Sequence, residues 1–149
     1  MLNRFSFKAL FLAKHAQHVA LIHFPIALFI SAVAFDFLAQ RSHRPGWSDS
    51  AYRNLSAAAL STIPVFVTGV LAWQFQLEGQ RLKGFLLIHV LLALASNLMI
   101  WLTWWIHFRA RKRAEMLPTY RLAVEVFGVV VVALTGHFGG FVSGVNGLG

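Results

Sequence analysis

The sequence predicts an all-α integral membrane protein, an antiparallel four-helix bundle with a short N-terminal interfacial helix. Two observations carry this expectation. Hydrophobic residues fill 58% of the 149 positions and charged residues only 12%, with a mean hydropathy of +0.65. So few charges do not cover a soluble domain of this length. The apolar residues are also gathered into four runs, roughly 19–39, 55–75, 85–108 and 122–142, each near the ~20 residues that cross ~30 Å of hydrocarbon. Backbone polar groups in lipid must be satisfied within their own segment, so these runs are helices. The whole chain, 1–149, reads as one membrane domain without an evident internal repeat.

Residues 1–14 set Leu2, Phe5, Leu10 and Phe11 among Asn3, Arg4, Lys8 and Lys14, the pattern of an amphipathic helix lying in the interface. They have no compact apolar core ahead of a small-residue cleavage site and do not read as a cleaved signal peptide. The connections 40–54, 76–84 and 109–121 are polar and hold Pro45-Gly46 and Pro118. The absence of cysteine excludes disulfides, iron–sulfur clusters and covalently attached c-type haem. The net charge of +8 does not point to nucleic acid, because the basic residues sit just outside the apolar runs, where topology and anionic lipid account for them.

Those basic residues also set an orientation. One side of the membrane collects Arg41, Arg44, Arg53, Arg109, Arg111, Lys112, Arg113 and Arg121; the other collects Arg4, Lys8, Lys14, Arg81 and Lys83. The positive-inside rule puts the first group in the cytoplasm and both termini outside, in the inner (cytoplasmic) membrane of a multi-pass, N-out/C-out protein. Trp101, Trp104 and Trp105, near the cytoplasmic end of the third helix, are expected to form an interfacial aromatic belt.

The functional clue is a set of histidines within apolar segments, since an ionisable group at membrane depth is a functional-site candidate by default. The first helix opens with His15, His18 and His23. At ~1.5 Å rise per residue, His23 and His89 each lie about one turn inside their helices from the outer end. His137 lies near the outer end of the fourth helix, at the same level, and His18 sits at the mouth of that region. Facing imidazoles are a usual way to hold a b-type haem inside a bundle, as iron ligands above and below an apolar ring. His89 then needs a partner at equal depth, His23 or His137, with His18 available to a second haem. Gly136, Gly140 and Gly144 recur every four residues and clear a groove for a macrocycle or for another helix. Two other readings stay open: the histidines are interhelical hydrogen-bonding groups, or His15, His18 and a third histidine hold copper or zinc.

Other polar groups are weaker signals. Gln74, Gln76, Glu78, Gln80 and Arg81 form an outer turn that, with Lys83, either is solvated or meets haem propionates or a quinone head group. His43 and His107 flank the cytoplasmic arginines and read as solvated surface residues. Glu125 follows Arg121 by four residues, which favours a local ion pair; together with Asp36 it is otherwise a candidate for a proton path.

The stretch His15-Ala16-Gln17-His18-Val19, followed by His23-Phe24-Pro25-Ile26-Ala27-Leu28, resembles the first helix of the bacterial four-helix membrane family known as domain of unknown function 2231. Members typically read His-Pro-x-His-Pro-x-x-x-His-Phe-Pro-Ile-x-Leu there; Ala16 and Val19 stand where that pattern has proline. Thr68-Gly69-x-x-x-Trp73, the histidine at position 89 and Gly136-His137-Phe138-Gly139-Gly140 resemble the later helices. The resemblance runs from about residue 15 to 147. Fusions of relatives to Rieske-type or cytochrome c domains imply membrane electron transfer, and no catalytic residue carries over.

The resulting expectation is a membrane b-type cytochrome, or the haem-bearing subunit of a respiratory complex. It passes electrons between the quinone pool and a periplasmic redox partner, as an electron-transfer subunit rather than a self-contained enzyme. The alternative is a non-redox anchor or assembly subunit whose histidines only pack.

Overall fold

A computed structural model of the chain describes residues 14–42 and 44–143. Most of the expected interfacial helix lies outside these residues, as do His43, Gly144 and the side chain of His15. The described residues form four helices: α1 (Lys14–Ser42), α2 (Pro45–Gln76), α3 (Gly84–Arg113) and α4 (Arg121–Val142). Each contains a window long and apolar enough to cross a membrane.

Two helices run well past the apolar runs in the sequence. α2 begins ahead of position 55 because Pro45 stands at its start, where the missing N–H removes no helical bond. Its first turns are polar yet helical. Ser50 Oγ donates to the Gly46 carbonyl and Asn54 Nδ2 to that of Ser50, both at 2.9 Å, while Ala51 and Leu55 turn inward. The polar connection expected over 40–54 is therefore mostly helix. At the same end of the bundle, α3 continues through the arginine cluster to Arg113, where Ala114 ends it in the left-handed region (φ 53°).

The helices pair as two antiparallel hairpins, α1 with α2 and α3 with α4, which meet each other more sparingly than each packs within itself. Buried Ala32, Ala51, Ala58 and Ala59 furnish the α1–α2 hairpin, since small side chains let membrane helices approach closely. The core is completed by Phe29, Val33, Leu55, Ile100 and Val132.

The distribution of polarity is that of a membrane protein. Leu60, Phe66, Leu91, Leu98 and Phe127 face outward, where hydrocarbon solvates them. The buried residues include Asp36, Thr62, Ser96, Thr103, His107, Arg121 and Glu125. Two of the expected belt tryptophans belong to this interior network. Trp101 Nε1 donates to Thr62 Oγ1 and Trp104 Nε1 to Ser56 Oγ, both at 3.1 Å. They bolt α3 to α2, and of the three only Trp105 is exposed.

Candidate functional site

The interior polar groups form two clusters, one toward each end of the bundle. At the histidine end, His18 on α1 and His89 on α3 line a common cavity of about 80 Å³. All four helices reach it, with Pro25, Thr62, Asn97 and Gly136 also in its wall. The two hairpins hold their histidines by the same device. His18 Nδ1 lies 3.2 Å from Thr68 Oγ1 on α2. The Thr68 hydroxyl hydrogen is directed to the carbonyls of Pro64 and Val65, at 2.9 and 3.1 Å, so its oxygen accepts from His18 Nδ1–H. On α3, His89 Nδ1–H donates to the Thr135 carbonyl at 3.2 Å. Each imidazole is thereby set in the tautomer that puts the lone pair on Nε2, as hydrogen-bond partners of the other ring nitrogen do for metal-binding histidines.

Glycine completes each cradle. A Cβ at Gly69 would stand 3.0 Å from His18 Cε1, and one at Gly139 would stand 3.0 Å from His89 Cε1. Any larger residue pushes the ring inward. Ser96 Oγ then joins the α3–α4 pair by donating to Thr135 Oγ1 at 2.7 Å, because the Thr135 hydroxyl itself donates to Val131. The motif Thr68-Gly69-x-x-x-Trp73 acquires a role at each position: two residues seat His18, and Trp73 Nε1 donates to the Gln80 carbonyl at 3.0 Å, clamping the α2–α3 loop. Arg81 and Lys83 lie exposed beyond that clamp.

The other expected histidines stand elsewhere. His23 is exposed, its Nδ1–H donating to the Val19 carbonyl of its own helix at 2.7 Å. His137 is also exposed, with Phe141 and Phe138 edge-on to it at 5.1 and 5.8 Å. The chain thus brings His18 and His89 to one cavity and leaves His23 and His137 on outer faces. Gly136 lines the cavity and Gly139 makes the close approach to His89, while Gly140 is not among the cavity-lining residues.

At the arginine end, four side chains from three helices meet in the interior. Asp36 on α1 accepts from Arg121 Nε on α4 at 2.8 Å, and His107 on α3 lies 2.8 Å, Nε2 to Oε1, from Glu125 on α4. All four are buried. One donor atom each from Asp36, His107 and Glu125 lies within 4.8 Å of the others. Removing such charges from water is costly unless each is paired and hydrogen-bonded, and all four side chains have such a partner, Glu125 through one of its two oxygens. Among the described residues, Glu125 Oε2 is buried with no hydrogen-bond partner.

This cluster overturns two expectations. His107 is not a solvated surface residue but is 2% exposed. Nor does Glu125 pair with Arg121 along the helix: both turn inward, and each takes its partner from another helix. A signal for His107 was present in the spacing. It follows His89 by 18 residues, as Asp36 follows His18, and 18 residues are about five full helical turns, so each pair shares one face of its helix.

Fold and sites together define a multi-pass, all-helical membrane protein with two clusters of polar and ionisable groups in its interior. The chain belongs to the family described as predicted membrane protein, domain of unknown function 2231, whose profile matches residues 14–149. No curated protein and no solved structure matches it.

Proposed function

We propose that the protein is a haem b-bearing electron-transfer subunit of a membrane complex, with His18 and His89 as the iron ligands. It works between the quinone pool and a periplasmic redox partner. One observation carries the reading: two imidazoles from different hairpins face one cavity, each fixed by an Nδ1–H bond so that Nε2 carries the lone pair. By their donor chemistry His18 and His89 would be the residues to hold a haem iron. Bound haem supplies one-electron transfer, at a potential set by its ligands and burial. Thr68 and the Thr135 carbonyl orient the rings, Ser96 steadies Thr135, and Arg81 with Lys83 offers cations to propionates or to a quinone head group at the rim.

The size of the cavity favours a second reading. About 80 Å³ is well below the roughly 300–1,000 Å³ of cofactor pockets, so a macrocycle enters only if the two hairpins part. A single copper or zinc ion is small enough for that volume. A reduced-minus-oxidised absorption spectrum, with haem and metal assays on the purified protein, decides between them. Haem gives a Soret band and a split α-band that are lost in His18→Ala and His89→Ala and kept in His23→Ala. A metal ion without haem gives the second reading, and neither gives the non-redox anchor.

A further inference from the structure

The two buried pairs at the arginine end are not equivalent. Arg121 Nε donates to Asp36 Oδ2 at 2.8 Å, and these fixed charges cancel. Glu125 Oε1 is satisfied by His107 Nε2 at 2.8 Å, whereas the buried Oε2 receives no donor from the described residues. An ionised Glu125 would therefore keep part of its delocalised charge on a buried oxygen that accepts no hydrogen bond from the described residues. The remaining charged groups of the packed helices do not supply the donor. On α2 the only charged residues are Asp49 and Arg53, both exposed. On α3 Arg109, Arg111, Lys112 and Arg113 are exposed, with Arg111 bonded to Asp49. On α1 Arg41 is exposed.

With His107 neutral, the cluster of Asp36, Arg121 and Glu125 carries one net negative charge. One unit of positive charge neutralises it, and a divalent ion would overshoot. We propose that the His107–Glu125 pair is an intramembrane proton-binding site, with Glu125 Oε2 as the atom that takes the proton from the arginine-rich face. The step is a proton transfer: hydronium gives H⁺ to Oε2, an O–H bond forms on the carboxyl and water is left behind, and release is the reverse. A groove of about 440 Å³ between α3 and α4 lies beside the cluster on that face. Its wall includes Ala110, one turn beyond His107, and Val124, the neighbour of Glu125. Pro118 also lines it, and its carbonyl receives Arg121 Nη1 at 3.3 Å. The site is independent of what His18 and His89 hold.

Infrared spectra of the full chain in phosphatidylglycerol vesicles, taken over a pH series in H₂O and D₂O, test this. The expected result is a protonated-carboxyl carbonyl band that fades as pH rises, shifts in D₂O, disappears in Glu125→Gln and persists in Glu115→Gln. The absence of the band at every pH, or its survival in Glu125→Gln, overturns the proposal. So does a stoichiometric divalent metal in the purified protein that is lost in His107→Gln. If Glu125→Gln does not fold, His107→Gln reads the same carboxyl, because a changed donor to Oε1 must move the band. An unmoved band then also overturns the proposal.

Discussion

The ring tip of Phe29 rests against the backbone of Gly128: a Cβ on Gly128 would stand 2.9 Å from Phe29 Cζ. Phe29 is fully buried and crosses from α1 to α4, the pair of neighbouring helices with the sparsest contact. This seat is a principal link between the two hairpins on that side. In Gly128→Ala the buried ring has nowhere to turn, so α1 and α4 must separate. Overpacking of this kind costs about 1–3 kcal/mol. Thermal unfolding in detergent should show a lowered midpoint, partly restored by adding Phe29→Leu. A midpoint equal to that of the parent protein would mean that the hairpins are not joined here.

The Asp36–Arg121 pair offers a sharper test of burial. Removing one partner leaves an uncompensated charge inside the bundle, at a cost of about 3–5 kcal/mol. Asp36→Asn and Arg121→Gln should each destabilise strongly, and the double variant should be less destabilised than the sum of the two. Denaturation of all four proteins in one detergent measures the coupling. Strict additivity would show that the two side chains do not act as a pair.

Thr68 is a positioning residue for His18 in the proposed function. Thr68→Val keeps the shape and removes the acceptor, leaving His18 Nδ1–H without its hydroxyl, whereas Thr68→Ser retains the oxygen. In a haem-loaded protein the valine variant should shift the midpoint potential and the serine variant should not. Identical potentials in all three proteins would confine Thr68 to packing.

Gly139→Ala and Gly69→Ala address the cradles. The added methyl meets an imidazole carbon at 3.0 Å, so each ring must move by a few tenths of an ångström. Gly139→Ala should weaken whatever His89 ligates, and Gly69→Ala whatever His18 ligates, read as lowered occupancy in a haem or metal assay. Unchanged occupancy in both variants would argue that neither ring is a ligand.

Topology is testable separately. The Arg109–Arg113 cluster is expected in the cytoplasm, which leaves the C-terminus and the His18–His89 cavity on the outer side. A C-terminal alkaline phosphatase fusion should be active and a C-terminal green fluorescent protein fusion dark. The opposite pattern would place the cavity in the cytoplasmic leaflet.

The membrane class and the four long apolar helices were legible in the sequence because they are local quantities. Apolar run length measures the bilayer, and rise per residue converts a position into a level. The opening motif likewise drew attention to the end of the bundle where His18 and His89 share a cavity. Rotation about a helix axis is not local in this sense. His18 and His23 are both near that level, but they lie ~140° apart around α1 on a 3.6-residue helix. Only the alanine-lined packing of α1 on α2 decided that His18 turns inward and His23 outward. The same holds for His137, whose neighbour Gly136 reaches the cavity while its own ring does not.

The arginine end shows the limit more plainly. Arg121 and Glu125 stand four apart on α4, and along an isolated helix they would pair with each other. Flanking arginines likewise made His107 look solvated. In the folded bundle both α4 side chains enter the interior, where an ionised group needs close donors or acceptors from whatever helix faces it. Asp36 and His107 face them, and those contacts, set by how α1 and α3 pack against α4, replaced the local pair. Which residues are ionisable was fixed by the sequence, and which of them meet was decided by tertiary packing, because a buried charge must find its partner across the helices.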